Sequence, residues 1–164
     1  MKPRPDPVAP GQESVWDYPR PPLVVASDRH VLVRYAGVVV CETRRALRLL
    51  ETSHPPTWYL PRTDFRAGAL RPAPGSSFCE WKGNASYLDV VAADSVAPAR
   101  AWTYLTPTPA FARLADHVAL YAAAMDGCFV DGERVRPQPG GFYGGWITND
   151  VAGPFKGVPG SMGW

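Results

Sequence analysis

Cysteine is scarce: only Cys41, Cys79 and Cys128 occur, an odd number with no Cys-x-x-Cys pair. That excludes a secreted disulfide framework and a standard zinc site, and it suits a reducing cytoplasm. Long apolar runs are missing too, since no window approaches the roughly 18 residues of a membrane helix. The opening Met-Lys-Pro-Arg-Pro-Asp-Pro has no apolar export core. Neither sign of charge dominates, with 17 basic residues against 15 acidic ones and a net charge of +2. Such a balance gives no field for gripping a phosphate backbone, so nucleic acid is not an expected partner. His30, His54 and His117 are isolated, and no Ser, Cys or Thr stands beside them in a nucleophile motif. No reaction, cofactor or metal is named by the residues.

What the chain does have is 19 Pro, 15 Gly, six Trp, seven Tyr and six Phe. This mixture starves long helices and favours short strands joined by tight turns, so the expected class is mainly β. A length of 164 residues suffices for one core without staples. Residues 1–22 form a Pro-rich arm, expected to be extended and anchored at Val15, Trp16 and Tyr18. A domain over 23–136 follows, and 137–164 make a Gly/Pro/aromatic tail. Its rings (Phe142, Tyr143, Trp146, Phe155 and Trp164) predict packing on the domain or on a partner subunit in a homodimer.

Within the domain, Leu23–Ala26, Val31–Tyr35 and Val38–Cys41 read as an antiparallel meander. Thr43 as N-cap and the spacing of Ala46, Leu47 and Leu50 predict one short helix, ended by Pro55 and Pro56. Thr57–Leu60 reads as a strand, Pro72–Gly75 as a loop, and Phe78–Ala92 as strand, turn and strand. Ala101–Leu105 is a further strand, and His117–Ala124, ambiguous in period, is taken as strand. Asp131-Gly132 supplies the positive φ angles of a final two-residue hairpin turn.

The ordered series Glu42-Thr43-Arg44-Arg45-Ala46, Glu51-Thr52-Ser53-His54-Pro55-Pro56, Trp58-Tyr59-Leu60-Pro61-Arg62-Thr63-Asp64, Cys79-Glu80-Trp81-Lys82-Gly83-Asn84-Ala85 and Ala101-Trp102-Thr103-Tyr104 closely resembles one bacterial family. It is domain-of-unknown-function family 427, and the resemblance covers about residues 24–135. The fold so implied is the β-tent, antiparallel sheets leaning together. Many β-tent domains carry two Cys-x-x-Cys knuckles; none occurs here, so packing must hold the sheets. The family is also labelled nucleotidyltransferase family 9, which implies an Asp-x-Asp pair holding Mg²⁺, and this chain has no Asp-x-Asp.

The expected site is a pocket walled by Trp and Tyr. Arg62 after the Pro61 turn can grip an anion, and Asp64 stands two positions on; equally, the two can pair with each other. Lys82 beside Gly83 is the second anion contact, with Trp81 on the opposite face if the segment is extended. Tyr59, Tyr87 and Trp102, from separate strands, are the walls, and Trp58 and Tyr104 belong to the same ring set. For any single ring, plain core is the commoner explanation. Arg34, Arg44, Arg45 and Arg48 form a basic cluster best read as a solvated face. The reading is a domain that binds a small anionic or aromatic ligand. Alternatives are a transferase or hydrolase on a nucleotide-like substrate, with Asp64 or Glu51 as acid/base, and a structural homodimer.

Overall fold

The computed structural model describes residues 1–164. Strands β1 (Glu13–Ser14), β2 (Leu23–Ser27), β3 (Val31–Tyr35), β4 (Val38–Thr43) and β5 (Ala46–Leu50) come first. Then follow β6 (Thr57–Pro61), β7 (Leu70–Cys79), β8 (Gly83–Ala92), β9 (Ser95–Thr103) and β10 (His117–Leu120). Short strands β11 (Gly127–Val130), β12 (Glu133–Arg134), β13 (Arg136–Pro137), β14 (Trp146–Ile147) and β15 (Val151–Ala152) end the chain. The fold is mainly β, and its helical content is limited to brief 3-10 segments, the longest being Pro109–Leu114. No helix is long and apolar enough to cross a membrane.

A seven-stranded antiparallel sheet in the order β2-β5-β6-β10-β9-β8-β7 leans on a four-stranded one in the order β12-β11-β3-β4. Side chains of a strand alternate between faces, so Trp58 and Leu60 of β6, Val118 and Leu120 of β10, and Leu88 and Val90 of β8 share one side. They pack against Val31, Val33, Val40, Cys128 and Val130 from the smaller sheet. Burying each such aliphatic side chain contributes about 1.5–3 kcal/mol, and this layer holds the sheets together with no disulfide, since all three cysteines are free. Burial pushes the Cys41 thiol up to about 12, which keeps it protonated and inert.

The opposite face of the large sheet carries Leu47, Leu49, Tyr59, Ala85, Trp102, Tyr104 and Ala119. Phe111 and Leu114 of the 3-10 segment cover one part of it. The remainder is the floor of the site described below.

Four local expectations are corrected. Leu23–Cys41 is not one meander: β3 and β4 pair in the smaller sheet, but β2 crosses to the large sheet and pairs with β5. Residues 43–50 are not helix: Thr43 closes β4, and its Oγ1 accepts from Arg45 N at 2.9 Å, so the hydroxyl caps a turn instead of a helix. The segment then runs as β5 between β2 and β6. Pro72 and Pro74 lie inside β7, an edge strand, where the register slips between Pro72 and Ser76; an edge tolerates the missing donors and the bulge absorbs them. The strand from His117 stops at Leu120 and gives way to a 3-10 turn, Ala122–Ala124. The Asp131-Gly132 hairpin forms with φ of 48° and 80°.

Arm and tail knit to each other and to the body. Strand β1 pairs in parallel with β15, Val15 and Tyr18 are buried, and Trp16 Nε1 donates to Pro154 O at 3.0 Å. The tail seats its rings on its own chain: Trp146 is buried in a stack with Trp58, and Trp164 meets Trp16.

Candidate functional site

A cleft of about 360 Å³ opens over the aromatic face of the large sheet. Its floor is set by strand alternation. Tyr59 comes from β6, Tyr87 from β8, Trp102 from β9, and Tyr104 and Tyr121 from positions just past β9 and β10. Trp102 and Tyr121 lie 4.8 Å apart between ring centroids, and Tyr59 and Tyr104 lie 6.4 Å apart. Trp102 Nε1 donates to the Tyr59 hydroxyl at 3.3 Å, which satisfies a buried indole N–H. Burial pushes the Tyr59 and Tyr104 phenols above the ordinary tyrosine range, so both stay neutral.

The β7–β8 turn forms one wall. Trp81 and Lys82 both line the cleft, because they sit in a turn where strand alternation does not apply. The turn is pinned from outside: Thr108 N donates to Lys82 O at 3.0 Å and Thr108 Oγ1 donates to Trp81 O at 2.5 Å. Lys82 Nζ stands 5.3 Å from the Tyr104 ring centroid.

The tail forms the facing wall with Gln138, Phe142, Tyr143, Gly144 and Lys156. Glycine is required at 144, since a Cβ there would lie 2.1 Å from the Trp102 ring. The strap therefore lies flat on the indole. Tyr121 OH donates to Phe142 O at 3.0 Å and closes it from the sheet side.

Gln138 is the hub of this wall and is nearly fully buried. Its Oε1 accepts from Gly145 N at 3.0 Å, and its Nε2 donates to Lys156 O at 2.8 Å and to His54 Nδ1 at 3.0 Å. Two backbone groups, one only a donor and one only an acceptor, fix which way the amide points. His54 Nδ1 is therefore the acceptor, and the ring proton sits on Nε2. The imidazole packs edge-on against Tyr143 at 4.8 Å. Its pKa is lowered to about 4, first by burial and then by the charges of Lys156, Arg20 and Lys82, so His54 is neutral at pH 7. Glu51 Oε2 lies 3.6 Å from His54 Nε2 and 3.6 Å from Arg20.

Of the residues singled out from sequence, the structure brings Tyr59, Trp81, Lys82, Tyr87 and Trp102 around this one cleft. Arg62 and Asp64 are not there. The cleft lies over the Thr57–Tyr59 end of β6, whereas Arg62 starts a 3-10 turn past the other end, its N–H donating to Asp116 O at 2.8 Å. Asp64 accepts from Thr43 Oγ1 at 2.6 Å and Arg45 at 2.7 Å, and these bonds hold its carboxyl below the usual range. It is a turn clamp, paired with neither ligand nor Arg62. Of the two acid/base candidates, Glu51 alone reaches the cleft.

His54, Gln138, Tyr121, Tyr143 and Lys156 escaped the sequence reading as site residues. The Gly-Phe-Tyr-Gly-Gly-Trp run signalled rings folded back onto the body, but nothing local to Lys156 or Gln138 announced where they would land.

A second, wider groove of about 770 Å³ holds Arg29, Arg44, Arg45 and Arg48. Its cations are largely matched: Arg29 by Asp131 and Asp150, Arg45 by Asp64, Arg48 by Glu13. Of the basic cluster named from sequence, Arg45 and Arg48 are thus paired, Arg44 lines the groove with no carboxylate within 4.0 Å, and Arg34 on β3 lies outside it.

No curated protein matches the sequence. The family model described as domain of unknown function DUF427 matches residues 23–131, which include the whole aromatic floor and Lys82. The chain belongs to the DUF427 family.

Proposed function

We propose that this chain binds a small anionic or aromatic molecule in the Tyr/Trp-floored cleft, within a reducing cytoplasm. One observation carries the reading: rings from four strands and a tail converge on a single concave hollow instead of filling it. The hollow falls within the usual size range of ligand sites. Rings whose faces line an opening offer stacking area to a flat ligand, with phenol and indole groups to orient it. The free thiols Cys41, Cys79 and Cys128 agree with the compartment.

Trp81 and Trp102 report on the cleft, so intrinsic fluorescence is the test. Titration with indole, 2-naphthol, 2-naphthamide and 2-naphthoate should give saturable quenching by at least one of these flat probes, accompanied by a rise in melting temperature. Tyr87→Ala should weaken that binding about ten-fold. No saturable response to any of the four would overturn the reading.

A further inference from the structure

The floor of the cleft is aromatic, and its positive charge stands on the walls. Lys82 comes from the β7–β8 turn, Lys156 from the tail, and His54 from the stretch between β5 and β6. Neither lysine is within 4.0 Å of a side-chain carboxylate, and Lys156 Nζ has Trp164 O at 3.3 Å. This sets them apart from Arg29, Arg45, Arg48 and Arg71, each of which has an acidic partner. All three line the one cleft: Lys156 Nζ and the His54 ring both stand against Tyr143, at 5.7 and 4.8 Å, and Lys82 Nζ stands 5.3 Å from the Tyr104 ring. Two acidic residues also line the cleft: Glu51, 3.6 Å from Arg20, and Glu80, whose side chain is exposed at the rim.

His54 adds a neutral donor to this pair of cations. With Nδ1 held as acceptor by Gln138, the Nε2 proton is left over; Glu51 Oε2 is 3.6 Å away, beyond hydrogen-bond reach. That N–H is not among the buried polar atoms without a partner, where Ser53 Oγ stands alone, so it keeps accessible surface.

Resting on the aromatic-cleft reading, we infer that Lys82, Lys156 and His54 Nε2–H form a carboxylate seat, and that the ligand is a planar aromatic acid with its carboxylate held between the two walls. Two cations and one neutral donor suit the two oxygens of a carboxylate. The cleft lining holds no arginine fork, and a phosphate, which lysines also bind, is the competing anion that the titrations below separate from a carboxylate. Lys156 Nζ donates to Trp164 O at 3.3 Å and stands 5.7 Å from the Tyr143 ring, so its ammonium is placed before the ligand arrives. The occupant gives Lys82 the acidic partner that the fold does not supply.

The test is a set of calorimetric titrations of the full chain at pH 7 with 2-naphthoate, its neutral isostere 2-naphthamide, 2-naphthylmethylammonium and 2-naphthyl phosphate. The naphthoate should bind about ten-fold or more tighter than the amide, the size of one charge-assisted hydrogen bond, and the ammonium should bind weakest. The double variant Lys82→Met, Lys156→Met should bind naphthoate and naphthamide alike. Equal binding of the two by the wild type, a preference that survives the double substitution, or the tightest binding by the phosphate would each overturn the carboxylate seat while leaving the aromatic cleft standing. If none of the four naphthalenes binds, the carboxylate seat falls, and the cleft reading falls with it when indole and 2-naphthol fail as well.

Discussion

The two faces of the seven-stranded sheet are made by one alternation and end in opposite states. On one, Leu60, Val90, Val118 and Leu120 are wholly buried against the smaller sheet. On the other, Tyr59, Trp102 and Tyr104 are buried at the floor of an opening whose walls come from a turn and a tail. Aliphatic side chains carry no polar atom and can be sealed completely, whereas rings tipped with O–H or N–H need partners or water. Side-chain chemistry at odd and even positions thus decides which face becomes a core and which stays a site.

The sharpest way to break this comparison is to damage only the sealed face. Leu60→Ala should cost about 2–5 kcal/mol of unfolding free energy in urea, while the naphthalene titrations keep their midpoints. Lost probe binding in a folded Leu60→Ala chain would show that the faces are not independent.

Acid should strain the open face. An unfolded chain protonates His54 near its ordinary value of 6.5, but the folded one does so only near 4. The stability associated with the neutral ring is therefore complete above pH 6.5 and is lost as pH falls toward 4, by about 3 kcal/mol in all. His54→Gln should flatten that stretch of the stability–pH curve; parallel curves for the two chains would contradict the buried, Gln138-bound ring.

Gly144→Ala sharpens the contrast at the tail wall. A Cβ driven into Trp102 should lower stability by about 1–3 kcal/mol and weaken naphthoate binding more than Leu60→Ala does. Thermal melts and titrations of the two variants side by side would read the difference.

Most of the fold was legible because its signals were local. The strands between Leu23 and Cys41, the strand from Thr57 and the Asp131-Gly132 turn each follow from β-branched runs and turn residues a few positions apart, whereas the pairing of β2 with the distant β5 instead of β3 does not. The segment 43–50 misled because Ala46, Leu47 and Leu50 satisfy helical spacing, while pairing with β2 and β6 rewards an extended chain. Half of the site was legible in the same sense: alternation on separate strands predicts that Tyr59, Tyr87 and Trp102 can share a face. The other half depends on long-range closure. Lys156 reaches the cleft because Gln138 binds its carbonyl and because its own N–H donates to Ser53 O at 2.9 Å. Arg62 is excluded because the chain turns away after Pro61. Neither event leaves a mark in the neighbouring residues.

The family match ends at residue 131, yet Gln138, Tyr143 and Lys156 lie beyond it. The floor thus lies within the family-matched stretch and the facing wall outside it, and Trp146, which anchors that wall, is itself part of the main core. A change to the wall is therefore felt in the packing that joins the two sheets as well as at the opening.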